Sequence, residues 1–268
     1  MKMKWKRILI MILTAALVVG LGFVGYRQFE YHKGTQTYAE AEQVAALPEL
    51  PAQQPEPEQS KQPEQLPEEE EPADPYAAAL EMIHLDALRE VNDDIIGWIL
   101  IPDTQVSYPI VQASDNDYYL NHTWKGEYNG VGAIFMEQHC APDFTDFNTI
   151  IYGHNMRNGS MFGELRHYND AGYWKAHPSV YIVDDSGVHK YDIFAAHEVG
   201  VRTITYGLSL DDEALRQEYI DFALQDSELD TGIVPTTEDQ MLVLSTCTGR
   251  GYSSRWVVQA VRCAETAE

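Results

Sequence analysis

The hydrophobic and polar positions fall into three regimes along the chain. The first is an apolar run from Ile8 to Tyr26, preceded by Lys2, Lys4, Lys6 and Arg7 and closed by Arg27. A helix needs about 20 such residues to cross a bilayer core of roughly 30 Å. The basic flank keeps the short N-terminus in the cytoplasm. A cleaved signal peptide shares that basic start, but no Ala-x-Ala site ends the run, and Gly22-Phe-Val-Gly-Tyr-Arg is a poor substitute. Residues 1–34 are therefore read as a cytoplasmic tail and an uncleaved signal anchor, with the rest of the chain outside the cell.

In the second regime the periodicity disappears. Residues 35–75 hold most of the prolines, many glutamines and glutamates, and the acidic run Glu68 to Glu71. Such a stretch buries too little apolar surface to offset its ordering entropy. It is expected to be a disordered, self-repelling tether with polyproline character.

From Tyr76 onward, residues 76–268 have the length of one domain with a full core. Ala77 to about Asn92 places Leu80, Ile83, Leu88 and Val91 at helical spacing after Pro75. The pattern then shortens to runs rich in β-branched and aromatic residues, separated by Pro, Asp, Asn and Gly. The strands so predicted lie at Ile96–Ile101, Val106–Val111, Gly132–Met136, Thr149–Tyr152, Val180–Val183, His189–Ala196, Met241–Thr246 and Arg255–Val261. Short strands in that number within one domain point to a mainly β fold, a closed or nearly closed barrel. Two helical stretches interrupt them. One is short, near Ser160–His167. The other starts at Ser209 with Asp212 as its capping partner, and Leu215, Tyr219 and Phe222 share one face.

Charge and cysteine count narrow the function. A formal net charge of −24 argues against a nucleic-acid partner. Three cysteines in an extracellular chain leave at least one thiol unpaired. Cys140 and Cys263 could pair, though two unpaired small apolar residues is the reading taken. Cys247 is the candidate for a reactive thiol. It ends the strand Met241-Leu-Val-Leu-Ser-Thr-Cys beside the turn Thr248-Gly-Arg-Gly. Side-chain alternation puts Met241, Val243 and Ser245 on its face. His154 ends another strand between Gly153 and Asn155, and Arg255 opens the last one, with Arg250 as a nearby rival. Thiol, imidazole and guanidinium suffice for acyl transfer through a thioester. A nearby cation raises the thiolate fraction of a cysteine. Taken singly, each has a plainer reading: a buried structural cysteine, one of nine histidines, a surface arginine.

Several separated motifs decide between these readings by resemblance. The segment Asn148-Thr-Ile-Ile-Tyr-Gly-His-Asn-Met-Arg-Asn-Gly-Ser-Met-Phe, Gly97-Trp, Tyr108-Pro-Ile-Val-Gln and Asp115-Asn-Asp-Tyr-Tyr-Leu-Asn resemble the class B sortases. The family's Thr-Leu-x-Thr-Cys signature stands here as Val243-Leu-Ser-Thr-Cys247, with valine for the first threonine. The resemblance implies an eight-stranded sortase-type barrel with an N-terminal helix and a helix in a late inter-strand loop. It implies that Cys247 is the nucleophile on the Thr carbonyl of a sorting signal, His154 the proton shuttle, and Arg255 the substrate and oxyanion ligand. Ser245 and Tyr152 would line the substrate groove, and no metal or organic cofactor is implied. The partners implied are secreted proteins bearing sorting signals and an amine on a wall cross-bridge or a pilin. Four rivals stand against it. An L,D-transpeptidase would carry Ser-His-Gly-Cys, which is absent, and a papain-like hydrolase would carry its cysteine early on a helix. A sortase-fold cysteine hydrolase would release only the free acid, and an inactive tethered binding module would keep its function in Cys247→Ala where an enzyme would lose turnover.

Overall fold

The computed structural model describes residues 2–48, 50–51, 74–249, 251 and 253–264. The eight predicted strands all form: β1 (Ile95–Leu100), β2 (Ser107–Val111), β3 (Ile134–Met136), β4 (Asn148–Tyr152), β5 (Ser179–Asp184), β6 (Gly187–Gly200), β7 (Met241–Cys247) and β8 (Ser254–Arg262). They close a barrel in the order β1-β2-β3-β4-β7-β8-β6-β5. Closure pairs both edges of every strand and removes the unpaired backbone that an open sheet exposes. Two neighbouring pairs, β2 with β3 and β4 with β7, are parallel. A parallel pair needs a long crossover, and the two crossovers here carry the loop of residues 112–133 and everything between β4 and β7.

Alternation along β7 behaves as the pattern predicted. Leu242 and Leu244 belong to the main core with Trp98, Ile99 and Phe162. Met241 and Val243 turn to a second cluster with Phe194, Val257, Tyr219 and Ile220. That cluster lies under a helix between β6 and β7. Full burial of each large side chain there stabilises by about 1.5–3 kcal/mol. The Tyr219 hydroxyl, also buried, donates to Asn148 Oδ1 at 3.0 Å and accepts from Gln259 Nε2 at 2.8 Å.

The helices depart from expectation in four places. The N-terminal helix α1 runs over Lys2–Val44, beyond the expected anchor. Tyr38 and Ala41 in its last turns, and Ala45 just beyond it, are buried against the barrel, which supplies the apolar contact that residues 35–44 lack on their own. Residues 52–73 of the expected tether, like Arg250, lie outside the described residues. One helix was expected over residues 77–92, and two short ones form, α2 (Pro75–Leu80) and α3 (Leu85–Arg89). The break lets Leu80, Leu85 and Leu88 all enter the core, with Val91 left exposed. The short stretch after Ser160 is a 3₁₀ segment, Gly163–Asn169, followed by α4 (Ala171–Ala176), which the pattern did not show. The late helix α5 is Glu213–Asp226. Leu210 is buried ahead of the helix, and the cap is Asp212, extended at φ −95° and ψ 132°, accepting from Ala214 N at 2.7 Å. Tyr219, Ile220 and Ala223 are its buried face, and Leu215 is exposed.

Candidate active site

Adjacent strand ends build one wall of a cleft. β7 and β8 are antiparallel in a register that sets Cys247 directly across from Arg255. β4 lies parallel to β7 with Tyr152 beside Ser245, so the residues following Tyr152 emerge next to the end of β7. Three bonds fix that junction. Gly153 N donates to Ser245 O at 3.2 Å, Thr246 Oγ1 to Gly153 O at 2.7 Å, and Asn155 Nδ2 to Cys247 O at 2.7 Å. Gly153 is required sterically, because a Cβ there would stand 2.5 Å from Ile134 Cδ1 and 2.7 Å from the Phe162 ring.

The opposite wall is irregular chain. His154 Nε2 meets the Leu120 carbonyl at 2.7 Å. A carbonyl only accepts, so Nε2 carries the proton in that bond and Nδ1 is left for proton exchange. Gly132, at φ +66°, packs so closely that a Cβ would stand 2.9 Å from His154 Cδ2. Between the walls lies a cleft of about 370 Å³ whose lining includes Cys247, His154, Arg255, Ser245 and Tyr152. All five residues singled out in the sequence therefore share one cavity, of a size suited to a few residues of peptide.

Ser245 lies deeper than expected. It is 1% exposed, and its Oγ shares a 2.8 Å hydrogen bond with the Tyr206 hydroxyl. Tyr152 donates to Glu137 Oε2 at 2.9 Å, and Asn116 Nδ2 donates to the same oxygen at 2.6 Å. Burial first, and then the Glu137 charge, push the Tyr152 phenol upward. Tyr206 is raised as well. Burial is the main cause, the Ser245 bond and Arg255 pull it down, and Cys247 pushes it up. Tyr206 lies in the 3₁₀ turn Ile204–Tyr206, held by Asn148 Nδ2, which donates to Thr205 O at 3.1 Å and Gly207 O at 2.9 Å.

The three thiols differ in setting. All are free; Cys140 is buried, while Cys247 and Cys263 are partly exposed. Burial pushes Cys140 up to about 11 and Cys263 up to about 12, so neither is a ready thiolate at neutral pH. Among the described residues, no group of three or more His, Cys, Asp or Glu side chains could hold a metal ion.

Comparison with known proteins agrees with this geometry. The Sortase domain model matches residues 99–263. Sortase B of Listeria monocytogenes is 38% identical over 176 residues, covering 64% of this chain and 71% of that protein. The crystal structure of sortase B from Bacillus anthracis superposes with a TM-score of 0.70 at 27% identity, covering 88% of this chain and 99% of that one. A Staphylococcus aureus sortase B–substrate complex gives 0.64 at 26% identity, covering 68% of this chain and 85% of that one. A family model over most of the barrel, relatives of one class, and a cysteine-bearing cleft at the strand ends lead to one assignment: the chain belongs to the sortase family, in class B, and is a cysteine transpeptidase.

Proposed function

We propose that this transpeptidase cleaves a C-terminal sorting signal after threonine and transfers the new C-terminus to an amine of the cell wall or a pilin. The Cys247 thiolate attacks the threonyl carbonyl, and electrons move onto its oxygen. Arg255, opposite Cys247 in the β7–β8 ladder, stabilises that oxyanion. His154 as imidazolium gives its proton to the departing amine, and collapse of the intermediate leaves a thioester on Sγ. The incoming amine attacks the thioester, His154 takes its proton, and the thiolate is regenerated. Ser245 and Tyr152 shape the floor on which the signal lies.

The observation that carries this reading is the Cys247–Arg255 register with His154 in the same cleft. A substrate complex is known for the Staphylococcus aureus sortase B, which supports the same type of ligand here. Helix α1 is long and apolar enough to cross a membrane. It would hold the enzyme on the outer membrane face.

The test uses the full chain in detergent, wild type beside Cys247→Ala. Each is mixed with Pro-x-Thr-Gly and Pro-x-Thr-Asn peptides and an amine acceptor, and products are read by mass spectrometry. The expected outcome is cleavage after threonine with amine-linked product, absent from the variant. Product from Cys247→Ala would end the nucleophile assignment, and free acid alone from wild type would turn the reading toward a hydrolase.

A further inference from the structure

Gly34 sits in the interior of α1, where glycine costs about 1 kcal/mol against alanine. A contact explains it. A Cβ at this position would stand 2.4 Å from Val131 Cγ2 and 3.2 Å from Asn129 Oδ1, so the helix backbone rides directly on the loop that crosses from β2 to β3. The helix is tied to that loop from Glu30 to Glu40. Tyr38 Oη donates to Gly132 O at 2.5 Å, Trp124 Nε1 to Thr37 O at 2.8 Å and Asn129 Nδ2 to Glu30 O at 3.2 Å. Ion pairs join Lys125 to Glu40, and Lys33 to Glu127 at 3.5 Å.

The other face of this loop touches His154. Leu120 supplies the carbonyl at Nε2, and Gly132 lies against the ring edge. The two points are coupled, because Ala133 N donates to Tyr119 O at 3.0 Å. A Cβ on Gly132 would meet the Tyr119 and Leu120 carbonyls at 2.8 and 2.9 Å. Gly132 is thus gripped by Tyr38 through its carbonyl, and the imidazole stands where a side chain at this position would project.

We propose that the extracellular half of α1 is a positioning element for His154: it clamps the 118–133 loop so that the Leu120 carbonyl and Gly132 hold the imidazole in place. Tyr38 and Gly34 are the positioning residues. The anchor helix then contributes to turnover as well as to location. The kinetic part of this proposal rests on the role given to His154 above; the structural part does not.

The test is Gly34→Ala in the full chain in detergent, where alanine strengthens the helix but forces it off Val131. kcat should fall about ten- to a hundred-fold, the range set by ångström misplacement of a reacting group, with KM for the sorting peptide within about twofold. Adding Val131→Ala should restore most of the loss. Gly25→Ala, on the same helix with nothing within 4 Å of the new methyl, should match wild type. Tyr38→Phe should act in the same direction more weakly. An independent readout is the His154 ring ¹⁵N signal, assigned by its absence in His154→Gln. It should shift in Gly34→Ala and return in the double variant. An unmoved ring signal, or a kcat loss that Val131→Ala leaves in place, overturns the clamp. A moved signal with unchanged kcat would keep the clamp and overturn instead the role of His154 in turnover.

Discussion

Strand β8 carries an arginine near each end, and each belongs to a cluster with a histidine, yet the clusters are built for opposite ends. Arg262 Nη2 donates to His189 Nδ1 at 2.7 Å, and His189 Nε2 faces Asp184 Oδ1 at 3.0 Å and Ser186 Oγ at 2.8 Å. The side chains of His189 and Asp184 are 3% and 4% exposed. This imidazole is engaged at both nitrogens, one as acceptor and one as donor, so it is a structural part of the β5–β6 hairpin. Seven residues back along β8, about 23 Å at 3.3 Å per residue, Arg255 shares an open cleft with His154 and Cys247. There the imidazole has one nitrogen on a carbonyl and the other left for chemistry. Saturated bonding makes a histidine a rivet; an unsaturated one facing a cleft can move protons.

The largest effect that sharpens the contrast is at the two histidines. His154→Ala should lower kcat/KM by about 10²–10⁴-fold, the usual range for a general acid–base, with thermal unfolding unchanged. His189→Ala should do the reverse, lowering the unfolding temperature while the folded fraction keeps its specific activity. A matched loss of stability in both variants would erase the distinction.

Arg255→Ala comes next, with a loss of about a hundred-fold in kcat/KM, as for removal of an oxyanion donor. Arg262→Ala should leave turnover of the folded enzyme intact. A mild Arg255→Ala beside a damaging Arg250→Ala would move the oxyanion role to Arg250.

What could be read in advance follows the same division between sheet and loop. The strands were legible because β-branched runs between Gly, Pro and Asn breaks report pleated, buried backbone directly. His154 was different: nothing local separates it from His189, and it was picked out only by the resemblance of its surrounding motif. Its Leu120 partner was out of reach because a backbone carbonyl leaves no mark in the sequence. Tyr206 and Asn155 lie in irregular segments without periodicity. The docking of α1 was hidden because Tyr38, Ala41 and Ala45 are spaced through a Glu- and Gln-rich stretch that composition alone assigns to a tether.

A smaller effect is expected at Asp184. Burial pushes its carboxyl up, but hydrogen bonds from His189, from the Ser186 hydroxyl and from Ser186 N–H outweigh burial and hold it below its ordinary value. A carboxyl lowered in the fold stabilises above its unfolded value, near pH 4, and that contribution is lost as the pH falls through the lowered one. Asp184→Asn should therefore be less stable than wild type by about 2 kcal/mol at neutral pH, the scale of hydrogen bonds to a charged group. The gap should close on acidification below about pH 4. Urea titrations across pH would show it, and a gap independent of pH would place the stabilisation in packing.

Tyr206→Phe carries the smallest effect and tests whether the cleft itself holds a structural bond. Removing the hydroxyl strands Ser245 Oγ at a buried position, a cost of about 1–2 kcal/mol. Because burial raises the phenol above its usual range despite Arg255, Tyr206 is a neutral hydroxyl wherever the enzyme works. The variant should lose about three- to tenfold in kcat/KM, in line with a bond of roughly that strength, and its pH–rate profile should keep the wild-type shape. A shift of the alkaline limb in Tyr206→Phe would make this tyrosine a titrating member of the site. A shape-preserving loss instead makes it the cleft's counterpart of the Asp184–His189 bond, a fixed contact that steadies the strand behind Cys247.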